Sequence, residues 1–438
     1  MPRSEVYCCS TLLSLVTAVV AGDLDRRPPD DDVRRVLLVS DYAVEAESGQ
    51  PLLERAGTSV LTGLFDLVVD VNALIAPYHP GAWSPGEQAL GLLGELLRRR
   101  WSIGDAVELH VEPYQVNFAR WALELFPEAP VTVVADGLMA YGPSRQRIPQ
   151  VVGRRVVGLA HLDLVPGLSP VYLSEHQVPA RALDANRVRG VLDRLVPAAS
   201  APAADGGVLV LGQYLSALGI VTEAEEEQLY ADAAVAAARQ HGCLTVAFKP
   251  HPAASPLAAR EVARRAAEQG VAVEVLAAGG PAESLFASGR YRFVHGCFST
   301  ALFTAGQLYG LTAQAFGTEL LLQRLTPYQN SNRIPVTLTD LLLGPGAALA
   351  PPGPVEPVIR AVAYCMRPKL YPGLRAGAET LWAAEPQLRD RYVRRRRLTA
   401  LQLPGASPLR PPASLPVRLR RRLGRAVRRV RPALAGAR

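Results

Sequence analysis

Glu5-Val-Tyr-Cys-Cys-Ser-Thr-Leu-Leu-Ser-Leu-Val-Thr-Ala-Val-Val-Ala-Gly22, followed by Val36-Leu-Leu-Val39, admits two readings that lead to different proteins. With Arg3 ahead of an apolar run, the first reading is an export signal. Glu5 stands where such a signal keeps positive charge, and Val6–Gly22 is short for a comfortable membrane span. The second reading is a buried strand Val6–Cys9, a turn at Ser10-Thr11, a helix to about Gly22 and a second strand Val36–Val39. Short, wholly apolar strands joined through a helix are how a parallel sheet covered on both faces begins, and this reading is adopted.

The same alternation runs outward from there. Leu67–Val71, Ala106–Val111 and Val131–Val134 read as further strands, with Gly86–Arg100 and Val116–Phe126 as amphipathic helices between them. The Pro/Ala/Gly-rich stretch Pro197–Gly207 reads as a linker. A second series follows, with strands at Gly207–Leu211, Leu244–Phe248, Val271–Leu276, Phe293–Val294 and Thr312–Ala315. Helices are expected at Glu223–Gln240, which has an acidic first turn, at Pro256–Gln269 and at Ser299–Tyr309. The expected class is α/β: a doubly wound domain at 1–196, a linker at 197–207, a second doubly wound domain at 208–388 facing the first across a cleft, and a basic tail at 389–438. Helix Val355–Met366 and the segment to Glu385 are expected to pack back across both domains.

The 438 residues, 49% of them hydrophobic, are enough for two packed cores. Five cysteines (Cys8, Cys9, Cys243, Cys297, Cys365) are odd in number and lack disulfide or metal spacing, which points to a reducing, cytoplasmic setting. The net charge of +7 hides an asymmetry. From residue 389 onward there are 16 arginines against one acid, Asp390, while the other 388 residues carry 31 basic and 39 acidic side chains. Within the basic end, Leu415, Leu419, Leu423, Val427 and Val430 recur at helical spacing, the pattern of a basic amphipathic helix lying on anionic lipid. A solvated tail has the same composition. Nucleic acid fits less well, because stacking aromatics are lacking.

Four patterns stand at strand ends, where open α/β sheets bind ligands. Val131-Thr-Val-Val-Ala-Asp136-Gly137 puts an acid at a strand mouth, able to act as general base, with Gly137 permitting close approach; Asp-Gly also makes an ordinary turn. Thr245-Val-Ala-Phe-Lys249-Pro250-His251-Pro252 fixes an imidazole between two prolines beside a lysine. A protonated His251 can donate to a departing phosphate oxygen, and Lys249 supplies positive charge for it. Phe293-Val-His295-Gly-Cys297-Phe-Ser299-Thr300 places two hydroxyls at a helix start, where phosphate binds and where Ser and Thr also cap; His295 reads as a packed strand-end residue. Pro281-Ala-Glu283 sets an acid where it can bind ribose hydroxyls, or simply favour the helix dipole. Gly212-Gln213, after Gly207–Leu211, is a further candidate for the phosphate rim.

Asp136-Gly137, His251-Pro252 and Ser299-Thr300, in that order, resemble the D/E-D/E-G, HP and S-S/T motifs of bacterial sialyltransferases. The nearest resemblance is to the bacterial α-2,8-polysialyltransferase family, with elements spanning Val6 to Tyr309 and a similar strand-end loop at Cys9-Ser10-Thr11-Leu12. The resemblance implies a GT-B fold of two Rossmann-like domains and inverting transfer from CMP-sialic acid, or a similar nucleotide sugar, to a glycan acceptor without a metal or other cofactor. It implies Asp136 as general base, His251 as general acid or charge stabiliser, and Ser299 and Thr300 as phosphate ligands. It places Glu283 on the ribose, and Ser10, Thr11, Gly212, Gln213, Gly137 and Lys249 around the substrates. With the basic tail, it implies a peripheral protein of the inner membrane face. This chain departs from the pattern at Ala135, where the first motif acid is missing. A CDP-polyol phosphotransferase of the teichoic-acid type shares many of these features, and a non-catalytic scaffold would tolerate Ala135. Donor hydrolysis distinguishes the first, and cytidine-nucleotide binding the second.

Overall fold

The computed structural model describes residues 3–28, 32–42, 51–55, 57–83, 85–114, 116–195, 206–251, 254–276, 280–349 and 355–407. The linker expected at 197–207 falls almost wholly outside these residues, as do Pro252 and the amphipathic stretch 415–431.

The amino-terminal apolar run is a strand and a helix inside the sheet. Seven parallel strands, β1 (Arg3–Cys9), β2 (Val33–Val39), β3 (Leu67–Asp70), β4 (Val107–Val111), β5 (Val131–Ala135), β6 (Val156–Leu162) and β7 (Ala180–Leu183), lie in the order β3-β2-β1-β4-β5-β6-β7. Val6, Tyr7, Leu37 and Leu38 are wholly buried, as central strands covered on both faces require. β6 and β7 are additional to the strands read from sequence. Gly158 interrupts the apolar run of β6, and Ala-Arg-Ala-Leu of β7 has no β-branched residue and is largely exposed.

The second sheet contains β8 (Gly207–Leu211), β9 (Thr245–Lys249), β10 (Ala272–Val275), β11 (Tyr291–Gly296) and β12 (Thr312–Ala315), all parallel, in the order β10-β9-β8-β11-β12. The strand order reverses between β1 and β4 in one sheet and between β8 and β11 in the other. A reversal sends the two flanking connections to opposite faces and leaves a crevice at the carboxyl ends of the strands.

Helices at the end of the chain join the two sheets. Between Glu356–Met366 and Arg375–Ala384, the buried Tyr371 hydroxyl accepts the Ser144 N–H at 2.9 Å and donates to Glu175 Oε2 at 2.6 Å, both in the first domain. The folded body then continues past residue 388, where the basic tail was expected to begin. Pro386–Tyr392 and Arg395–Leu401 are helices that, with Val393 between them, bury Leu388, Tyr392, Val393 and Leu398, so the four consecutive arginines Arg394–Arg397 stand at the start of a packed helix. Arg391 reaches in to the fully buried Asp340, donating from Nε and Nη2 at 2.6 and 2.7 Å. Thr318 and Tyr392 add their hydroxyls, each at 2.6 Å. Burial alone would raise the proton affinity of Asp340, but these donors hold it below the ordinary carboxylate range.

Candidate active site

The turn after β1 is built as a helix cap. Thr11 Oγ1 accepts the Ser14 N–H at 3.0 Å, and Ser14 Oγ accepts the Thr11 N–H at 3.0 Å, so Ser10-Thr11 is held where the helix Leu12–Ala21 begins. Both hydroxyls then reach sideways to neighbouring strand ends. Thr11 Oγ1 donates to Asp136 Oδ2 at 3.3 Å, and Ser10 Oγ donates to Glu112 Oε1 at 2.8 Å. Asp136 follows β5, as its motif requires, and is half-buried. Burial raises its proton affinity, and the Thr11 hydroxyl partly offsets that.

Gly137 brings the two domains together. A Cβ at this position would stand 2.9 Å from Thr300 Oγ1 of the second domain, closer than such atoms approach, so the cleft wall carrying Asp136 can come this near only because residue 137 has no side chain. Gly137→Val is therefore expected to push the walls apart and lower turnover by at least about tenfold, since misplacement of roughly 1 Å is enough for such losses. Unchanged steady-state rates would show that the walls need not meet.

On the opposite wall, the carboxyl ends of β8, β9 and β11 carry the other candidates. Ser299 is the N-cap of the helix Thr300–Tyr309, its Oγ accepting the Ala301 N–H at 3.2 Å; capping and ligand binding thus compete for the same oxygen. Gln213 is a brace between loops: its Oε1 accepts the Phe298 N–H at 2.9 Å, and its own N–H donates to the Tyr230 oxygen at 2.6 Å. Gly212 lies against the His251 loop, where a Cβ would be 3.2 Å from Pro250 Cα and 3.3 Å from His251 N. Glu283 is buried behind the cleft, on a six-residue helix, and accepts the Thr304 hydroxyl at 2.8 Å. It thus sits within the wall of the second domain.

Electrostatics ties these walls into one site. Lys249 is buried, which lowers its proton affinity; Glu283 opposes that change, and Arg55 of the first domain adds to it. Burial raises the proton affinity of Glu283, and Asp136, across the cleft, contributes in the same direction. The sequence reading expected a protonated His251. Burial first, and Lys249 second, push its pKa down to about 4, so near neutrality the ring is uncharged in the free protein. The Tyr214 ring rests on it, with centroids 4.2 Å apart. A cavity of about 740 Å³ opens beside His251, lined by Gln213, Tyr214, Glu226 and Phe248 among others. His295 lies away from this group: it is buried, with Nε2 3.0 Å from Nε2 of His241.

Sequence reasoning missed Glu112, Arg55 and Tyr214. Glu112 had a usable signal, since it is the first residue beyond a strand whose end had been placed at Val111. Tyr214 follows Gly212-Gln213 directly and meets His251 within the second domain, whereas Arg55 lies in a loop with no motif and only the docking of the two sheets brings it near Lys249. Among the described residues, no group of three His, Cys, Asp or Glu side chains is arranged to hold a metal, and no helix is long and apolar enough to cross a membrane.

Two parallel sheets with switch-point crevices facing one another across a cleft define the GT-B class of glycosyltransferase. The profile of the family Alpha-2,8-polysialyltransferase (POLYST) matches residues 5–317, and the chain belongs to that family of glycosyltransferases. No curated protein matches the sequence. Solved structures to which it is similar include a Thermobaculum terrenum O-GlcNAc transferase mutant (16% identity over 89% of this chain and 68% of that chain, TM-score 0.37). Others are the Neisseria meningitidis UDP-GlcNAc 2-epimerase bound to UDP-GlcNAc (11%, 72% and 82%, TM-score 0.42) and a Rickettsia africae glycosyltransferase (9%, 92% and 97%, TM-score 0.41).

Proposed function

We propose that this glycosyltransferase moves a sialic acid, or a related nonulosonic acid, from a CMP donor to the hydroxyl of a glycan acceptor, with inversion at the anomeric carbon and without a metal in the chemical step. The bond from the acceptor oxygen to the anomeric carbon forms as the bond from that carbon to the phosphate oxygen breaks, and the electron pair leaves with CMP. Asp136 takes the acceptor's proton. His251 donates a hydrogen bond, and then a proton, to the leaving phosphate. An uncharged imidazole suits this role at the start of the cycle, because the incoming phosphate anion raises its proton affinity and loads it when the donor is present. Lys249, the Thr300 hydroxyl and the amides of the helix start that Ser299 caps stabilise the phosphate; Gly212 and Gln213 shape the loop beneath it. Thr11 orients the base, Ser10 holds Glu112 next to it, and Glu283 balances Lys249. The basic end of the chain would hold the protein on the anionic inner face of the membrane.

The observation that carries this reading is the approach of Asp136-Gly137 on one wall to Thr300 on the other, with the Lys249–His251 loop beside a cavity of nucleotide size. A thermal-shift series with CMP, CDP, UDP and GDP tests the donor. CMP at a hundredfold excess over its Kd is expected to stabilise the protein by about 2.7 kcal/mol, with little response to UDP or GDP. Stabilisation by CDP with none by CMP would move the assignment to a CDP-polyol donor.

A further inference from the structure

Glu112 is a buried carboxylate with an unmade bond, placed beside the base by the sheet itself. In the register of β4 and β5, Leu109, His110 and Val111 pair with Val131, Thr132 and Val133. Side chains alternate along a strand, so Glu112 and Asp136 emerge on the face shared by His110 and Val134, which the helix Leu12–Ala21 covers. Ala135 points the other way, into the apolar layer that contains Phe118 and Val111, and is 2% exposed. An acid at 135 would therefore be buried on the wrong face for this base. Glu112 is only 7% exposed; Oε1 accepts the Ser10 hydroxyl, while the equally buried Oε2 accepts nothing. Such an arrangement costs folding free energy.

We propose that Glu112 is a positioning residue of the reaction centre, supplying from β4, on the face of the sheet that it shares with Asp136, the second carboxylate that the motif lacks at Ala135. The proposal rests on the reading of Asp136 as base. Asp136 on β5 bears on Glu112, Glu112 in turn bears on Cys8 and Cys9 on β1 and on Tyr42 beyond β2, and the Ser10 and Ser14 hydroxyls lie above it. Burial, and then Asp136, push Glu112 up to about 7. The two carboxyls release their protons as a coupled pair in two steps, the second of them near neutrality. Below the second step Asp136 works beside a neutral acid; above it the added negative charge makes Asp136 a stronger base.

The test is the pH dependence of kcat/KM between pH 5 and 9 for the full chain with CMP-sialic acid, compared with Glu112→Gln. Wild type is expected to rise through a step near pH 7 that Glu112→Gln lacks. The variant should match wild type at pH 6 and fall about tenfold below it at pH 8, with unchanged CMP affinity. The sign for stability is opposite. A carboxyl whose folded-state affinity for protons is raised loses stability as pH climbs, so Glu112→Gln should gain in melting temperature over wild type between pH 5 and pH 8. Should Glu112→Gln fail to fold, Ser10→Ala serves instead: loss of the donated hydrogen bond moves the step to higher pH. An unaltered step in either variant overturns the proposal. Wild-type transfer by Asp136→Asn would overturn it differently, by removing the base on which it depends.

Discussion

Asp136→Asn is expected to abolish all but about a hundredth of sugar transfer or less, the usual size of an acid–base contribution. The amide oxygen still accepts the Thr11 hydroxyl and occupies the same half-buried place, so the loop after β5, the approach of Gly137 to Thr300 and the binding of CMP should all survive. What is lost is the capacity to take a proton. Single-turnover measurements at saturating donor isolate that step from product release. A variant that forms product within a few-fold of wild type would place the base elsewhere. In wild type the acidic limb of the rate profile should lie above the ordinary aspartate range, because burial favours the protonated form.

His251→Ala is the second large effect, again about a hundredfold on transfer. It carries a further signature that a merely structural histidine would not show. The free imidazole is uncharged down to about pH 4, yet the mechanism needs a proton on it once phosphate is in place. CMP binding near pH 6 should then draw a proton from solution. Calorimetry in two buffers of different ionisation enthalpy would show greater proton uptake in wild type than in His251→Ala. The difference is the imidazole's proton, over and above that of CMP's own phosphate, which also titrates at about pH 6. Equal uptake in both proteins would assign the proton to another group and leave His251 as packing for Tyr214. Loss of the imidazole should leave the charge of Lys249 in place, so CMP affinity falls less than the rate does.

How far the sequence disclosed these features follows from how local each one is. Val6–Cys9, Val36–Val39 and Gly207–Leu211 are so uniformly apolar that only a sheet covered on both sides can house them, and their order along the chain implies parallel pairing. Asp136 and His251 were legible because strand ends are where such folds place chemistry. Glu112 obeys the same rule but has no motif around it, and its significance depends on which face of β4 it leaves. The shared face of Glu112 and Asp136, and the opposite orientation of Ala135, are properties of register, fixed only when two strands are paired. The contact of Gly137 with Thr300 is further from the sequence still, since it requires two independently built sheets to dock. The arginines after residue 388 were misread for a compositional reason. Leu388, Tyr392, Val393 and Leu398 are too few among them to stand out, although they anchor two helices.

Those arginines differ in kind, and Arg391 shows how. Most of a basic terminus can be shortened or neutralised with little consequence for what precedes it. Remove the side chain that grips Asp340, and a dry anion is stranded in the middle of the second domain, far in sequence from the cut. The helices Pro386–Tyr392 and Arg395–Leu401 thus act as a clasp on the domain that precedes them, and a nascent chain still lacking them would hold that domain unfinished. Any shortening of the basic end has to spare residues up to 407.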